Sequence, residues 1–208
     1  MRLEAKDIRF RYGGGSGARG GDGRSGWVLD GVSLSVEAGE RVGLVGPSGC
    51  GKTTLAKILA GYLAPTSGSV LLDGAPLPAR GYCPVQMIFQ HPELSVNPRW
   101  TMRRILTENW TPDAALADAL GLEDAWMNRW PAELSGGELQ RFCIARVLGP
   151  RTRFLLCDEI STMLDAITQA QVWRLLLDVA EQNRLGLLVV THNPALAARV
   201  CTRVVEMG

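Results

Sequence analysis

Gly46-Pro47-Ser48-Gly49-Cys50-Gly51-Lys52-Thr53-Thr54 is the stretch on which the fold turns. A short apolar run, Arg41 to Val45, enters it, and a helical pattern over Thr53 to Leu63, ended by Pro65, leaves it. Strand, glycine turn and helix in that order make a phosphate cradle. The spacing Gly-x4-Gly-Lys-Thr aims successive backbone N–H groups at phosphate oxygens, where a side chain would block the approach. Lys52 is long enough to reach the β and γ phosphates, and the Thr53 hydroxyl suits Mg²⁺. The helix adds its positive N-terminal end.

Downstream, Phe154-Leu155-Leu156-Cys157-Asp158-Glu159 is an apolar strand that ends in two carboxylates. A buried parallel strand delivers its C-terminal end to the ligand crevice, which brings Asp158 beside the Mg²⁺. Glu159, one residue later, is placed to orient or deprotonate an attacking water. Alone, such a strand is commonplace; with the Gly46 loop upstream it is specific. A second phosphate contact is expected at Leu134-Ser135-Gly136-Gly137-Glu138-Leu139-Gln140-Arg141.

The rest of the chain supplies the frame. Leu3 to Tyr12 has strand-like spacing with a slip near Asp7, and Trp27 to Val36 resumes a strand before the turn Ala38-Gly39-Glu40. Residues 13–26 are mostly Gly, Ser and Arg, the composition of a flexible surface loop. Ser69 to Leu72 is a strand closed by Asp73-Gly74. From Pro92 to Pro150 the pattern is helical, with Thr111 as a cap and Pro112 at the first helical position, and with a short Trp-containing helix before Pro131. A helix over Thr168 to Gln182 and a strand over Leu187 to Thr191 follow. Alternating strands and helices predict a parallel sheet covered on both faces, with a helical insertion.

A chain of 208 residues has room for one sizeable core, not two full domains. Its net charge of +1 gives no basic field for nucleic acid. Cys50, Cys83, Cys143, Cys157 and Cys201 show neither a CxxC pair nor metal-ligand spacing, and fit a reducing cytosol. Cys143 and Cys157 fall in apolar runs as small core residues, and Cys50 is expected to face away from the loop. Nothing opens like a signal peptide, and no apolar run reaches membrane-spanning length.

Taken together, these motifs resemble the nucleotide-binding subunits of ABC transporters over essentially the whole chain. The resemblance implies an α/β P-loop NTPase (RecA-like) core with a parallel sheet, an N-terminal antiparallel β portion and an inserted helical subdomain. The implied division of the single domain is a catalytic core over 1–90 and 151–208 and a helical subdomain over 91–150. Gly46, Pro47, Ser48, Gly49, Cys50, Gly51, Lys52, Thr53 and Thr54 match the Walker A loop, and Leu155 to Asp158 the Walker B strand. Tyr12 sits where these ATPases stack a ring on adenine, and Gln90 matches the Q-loop glutamine that contacts Mg²⁺ and senses the membrane partner. Leu134, Ser135, Gly136, Gly137 and Glu138 match the signature motif, which closes over the γ-phosphate bound to the opposite subunit. Thr162 to Asp165 matches the D-loop, and His192 the switch histidine that contacts the γ-phosphate. Singly, Tyr12 reads as core packing, Gln90 as a loop glutamine and His192 as a structural residue; joint order and spacing give them weight. The implied cofactors are ATP and Mg²⁺, with Thr53, Gln90 and Asp158 holding the metal and Glu159 acting on water.

A narrower likeness runs from Met87 to Arg99, where Ser95-Val96-Asn97-Pro98-Arg99 is similar to ATPases of peptide, nickel and metal-chelate importers. Ile160 and Met163 replace the more usual residues near the D-loop. The implied setting is the cytoplasmic face of the membrane, bound peripherally to permease subunits that an extracellular solute-binding protein feeds. A second, different ATPase subunit is the expected partner, with a homodimer the alternative. A soluble ABC-type ATPase and an exporter subunit are the rival readings.

Overall fold

The computed structural model describes residues 1–13, 26–160 and 164–208. The loop expected over 13–26 falls almost wholly outside the described residues, as do Thr162 and Met163 of the expected D-loop.

Two sheets build the molecule. The first joins β1 (Arg2–Phe10), β2 (Leu29–Glu37), β4 (Ser67–Leu72) and β5 (Ala75–Pro76), all antiparallel, in the order β2-β1-β4-β5. The slip near Asp7 is a bulge: pairing with β2 shifts register between Ala5 and Ile8, and Asp7 takes a φ of 48°. Its backbone N–H donates to Ser33 Oγ at 2.9 Å, which holds the kink. Without the bulge, Leu3 and Ala5 would face opposite to Ile8 and Phe10; with it all four are buried on one side.

The second sheet is parallel throughout. It comprises β3 (Arg41–Val45), β6 (Val85–Ile88), β7 (Phe154–Asp158), β8 (Gly186–Val190) and β9 (Arg203–Glu206), in the order β6-β7-β8-β3-β9. Every residue of β7 and β8 is buried, as continuous apolar runs require in a sheet covered on both faces. Phe154 and Leu156 enter a core with β1, β2 and α1 (Lys52–Leu59); Leu155 and Cys157 enter a second core with α2 (Met102–Leu106), α4 (Gly136–Val147) and α5 (Ala166–Asn183). The remaining helices are α3 (Ala114–Ala119) and α6 (Pro194–Val200).

Several boundaries differ from expectation. The helix after the glycine turn stops at Leu59 rather than Leu63, because Gly61 adopts a left-handed φ of 78° and the Tyr62 and Leu63 N–H groups fold back onto the Lys57 carbonyl. Asp113, not Thr111, caps α3: its carboxylate accepts from Leu116 N at 2.8 Å, so Pro112 lies outside the helix. The Trp-containing helix before Pro131 is only a 3₁₀ turn, Asp124–Trp126. Strands β6 and β9 and helix α6 are elements that the sequence pattern did not predict.

Candidate active site

Strand β3 ends at Val45, and the chain turns through Gly46 to Gly51 into α1. Gly46 has a φ of 155°, and a Cβ there would stand 2.0 Å from the Met207 carbonyl oxygen. Only glycine fits, because Met207, just past β9, donates its N–H to Val45 O and roofs the turn. Lys52 is 6% exposed, and its ammonium donates to the carbonyls of Gly46 and Pro47 at 2.8 Å each. The first N–H groups of α1 have no intrahelical acceptor, which suits the helix start to an anion. Cys50, expected to face away, instead turns its Sγ to within 3.8 Å of Lys52 Nζ. The tight turn leaves its thiol on the inner side of the loop.

The pairing of β7 between β6 and β8 carries Asp158 to the same end of the sheet. Thr53 Oγ1 donates to Asp158 Oδ1 at 3.0 Å across 105 residues of sequence. Burial pushes the Asp158 carboxyl above its ordinary value; the Thr53 hydroxyl opposes that rise and the neighbouring Glu159 charge adds to it. Glu159 follows in a left-handed turn with φ 49°. Such a conformation strains a non-glycine residue, and here it turns the carboxylate off the strand toward two loops. Gln90 Nε2 donates to its Oε2 at 3.2 Å, and His192 Nδ1 donates to its Oε1 at 3.0 Å. Tyr12 is 62% exposed and stands edge-on to Phe10, with its hydroxyl 3.1 Å from Thr54 Oγ1. Its ring is therefore outside the core and open to a flat partner.

Thus Thr53 meets Asp158, Glu159 meets Gln90 and His192, and Tyr12 meets Thr54, and the chain neighbours Lys52 to Thr54 and Asp158–Glu159 bring these contacts together. The signature residues do not join them: among the described residues, no hydrogen bond or ion pair links Leu134–Glu138 to the Gly46 loop. Ser135 caps α4, accepting from Glu138 N at 3.3 Å, while Glu138 Oε2 accepts from Ser135 N at 2.8 Å. That capping box engages the Glu138 carboxylate and leaves the N–H groups of exposed Gly136 and half-buried Gly137 in the first turn, without intrahelical acceptors. Asp165 likewise caps α5, accepting from Ile167 N and Thr168 N at 3.0 Å each and from Thr168 Oγ1 at 2.7 Å.

Half-buried Thr53 Oγ1 and buried Asp158 Oδ1 form a small, all-oxygen donor pair, with the Gln90 amide nearby through Glu159. Among the described residues there is no group of three or more His, Cys, Asp or Glu that could cage an ion. Few protein oxygens, with phosphate and water completing the shell, is the coordination that Mg²⁺ favours. Gln140, expected only as part of the Leu134 to Arg141 phosphate contact, instead donates its side-chain amide to Phe89 O at 3.3 Å beside Gln90. Its signal was a polar residue in the apolar stripe that includes Cys143 and Ile144.

A family model described as ABC transporter matches residues 29–162. The chain is 37% identical over 199 residues to the nickel import ATP-binding protein NikE of Escherichia coli (strain K12), covering 86% of this chain and 74% of that one. NikE of Escherichia coli O157:H7 is 36% identical with the same coverage. The dimeric post-hydrolysis structure of the ATP-binding cassette MJ0796, bound to ADP and Pi, matches with a TM-score of 0.80 at 24% identity, over 99% of this chain and 94% of that one; this likeness is one of fold. The chain therefore belongs to the ABC transporter family, as one of its ATP-binding, ATP-hydrolysing subunits.

Proposed function

We propose that this subunit powers import of a solute across the cytoplasmic membrane through partner permeases, the solute being nickel, a metal chelate or a short peptide. One observation carries the reading: Lys52, Thr53, Asp158, Glu159, Gln90 and His192 gather at one end of the parallel sheet, while no hydrogen bond or ion pair among the described residues ties the Ser135 helix terminus to the Gly46 loop. An ATP site so built lacks its second phosphate contact until another subunit supplies one. The likeness to a nickel import ATP-binding protein favours an importer and its metal-linked cargo. No helix among the described residues is long and apolar enough to cross a membrane, which fits a peripheral subunit held by permeases.

In this reading Tyr12 stacks on adenine, and the Gly46 to Thr54 loop with Lys52 binds the phosphates. Thr53, Asp158 and Gln90 hold Mg²⁺, which when bound screens the phosphate charge and orients the γ-phosphate. Glu159 accepts the proton of the attacking water at its carboxylate, and His192 holds that carboxylate in place. Ser135 to Glu138 close on the nucleotide of a second ATPase subunit, expected to be a different chain. Residues 91–150 act as a helical subdomain facing a permease, and 1–90 with 151–208 as the catalytic core.

Two measurements test the reading. Replacing Glu159 with Gln is expected to slow turnover by about a hundredfold or more while ATP binding persists; normal turnover would remove Glu159 from its role. A mild-detergent pull-down of the tagged chain from its native membranes is expected to recover two permeases and a second ATPase. Recovery from the soluble fraction without permeases would sink import and favour a soluble ATPase.

A further inference from the structure

Gln140 lies in the second turn of α4 and is 0% exposed. Its helix neighbours Leu139, Phe142, Cys143 and Ile144 are all buried in one apolar core. A methionine would fill a similar volume and leave no polar atom to satisfy. Instead Nε2 donates to the Phe89 carbonyl at 3.3 Å, and Oε1 is buried without a hydrogen-bond partner among the described residues. An unpaired buried acceptor costs the fold, so packing does not account for this residue.

Its position does. Phe89 stands just after β6 and just before Gln90, whose side chain holds Glu159 at 3.2 Å. Other side chains of α4 reach farther along: Cys143 Sγ lies 3.9 Å from Pro92 O, and Arg146 donates to Ser95 O at 3.1 Å. Gln140 is the contact on the near side of Gln90. We propose that Gln140 is a positioning residue for hydrolysis: it pins the Phe89 backbone to α4, so that displacement of the helix carrying Ser135 to Glu138 moves Gln90 against the Glu159 carboxylate. The unused Oε1 suits this part, because a small shift of α4 along the 89–91 chain can bring it onto a backbone N–H. The contact then has two settings that differ by one hydrogen bond.

This inference rests on the roles proposed above for Gln90 and Glu159, and the test separates the two. The tagged chain is isolated with the subunits that copurify with it, as wild type and as Gln140→Met, Gln140→Leu, Gln90→Ala, Glu159→Gln and the Gln90→Ala/Gln140→Met double variant. Gln140→Met is expected to keep or raise Tm, to leave the KM for ATP unchanged and to lower kcat about tenfold. Amide hydrogen exchange is expected to rise in the segment 89–91 alone. The double variant is expected to be no slower than Gln90→Ala, since both cut one link. A folded Gln140 variant with wild-type kcat overturns the proposal, as do effects that multiply in the double variant. Loss of folding in both Gln140 variants also overturns it, making the residue a structural one. Wild-type turnover in Glu159→Gln overturns the reading of Glu159 itself, and the link with it.

Discussion

Asp158 is 3% exposed, and its carboxyl is raised by burial despite the Thr53 hydroxyl that favours the ionised form. The unfolded chain releases this proton near the ordinary aspartate value, and the folded chain only at higher pH. Its contribution to stability is thus full below about pH 4 and is lost as pH rises through the raised value. In metal-free buffer, Asp158→Asn is expected to melt a few degrees above wild type at neutral pH, with the gap closing toward about pH 4. A variant that melts lower at neutral pH would mean that the Thr53 bond outweighs the burial cost. Turnover should be lost in either case, the exchange of stability for chemistry that a functional carboxylate makes. Asp158, Glu159 and the Gly46 loop are legible in the sequence because their chemistry depends on local spacing at strand ends. Gln140 is not, because its partner lies 51 residues away and nothing in the spacing of either segment announces the meeting.

Helix ends are where element-level expectations can be tested. Ser135→Ala removes half of the capping box of α4 and is expected to cost about 1 kcal/mol, lowering Tm by roughly 2–4 °C. The Asp165 carboxyl is held below its ordinary value by the Thr168 hydroxyl and by the N–H groups of Thr168 and Ile167. A depressed carboxyl stabilises above its unfolded value and stops doing so as pH falls through the folded one. The Tm difference between wild type and Asp165→Ala is therefore expected to be full at neutral pH and to shrink in acid; a constant difference would assign the effect to something other than charge. The five-residue, fully buried β7 and β8 are readable from uninterrupted apolar runs. Four-residue β6 and β9 are too short for periodicity to separate them from loops. The α3 cap went to Asp113 because a carboxylate three residues before Leu116 N competes better than a threonine two residues farther out.

At the scale of the molecule, the parallel sheet separates two cores, and β7 belongs to both. Leu155→Ala, at a fully buried position, is expected to cost about 2–5 kcal/mol in denaturant unfolding. Burial also raises the thiols of Cys143 and Cys157, so a thiol reagent is expected to reach them only on the unfolding timescale. Rapid labelling of either in the native chain would indicate local opening of the second core. The core beneath the Gly46 loop contains no residue from 92–150; that whole segment packs on the other side of the sheet. Apart from Gln140 and the Ser135 to Glu138 turn, substitutions there leave the packing beneath the phosphate loop untouched. Descendants of this chain can therefore drift across that outer face, and acquire new allegiances, while inheriting an unaltered cradle.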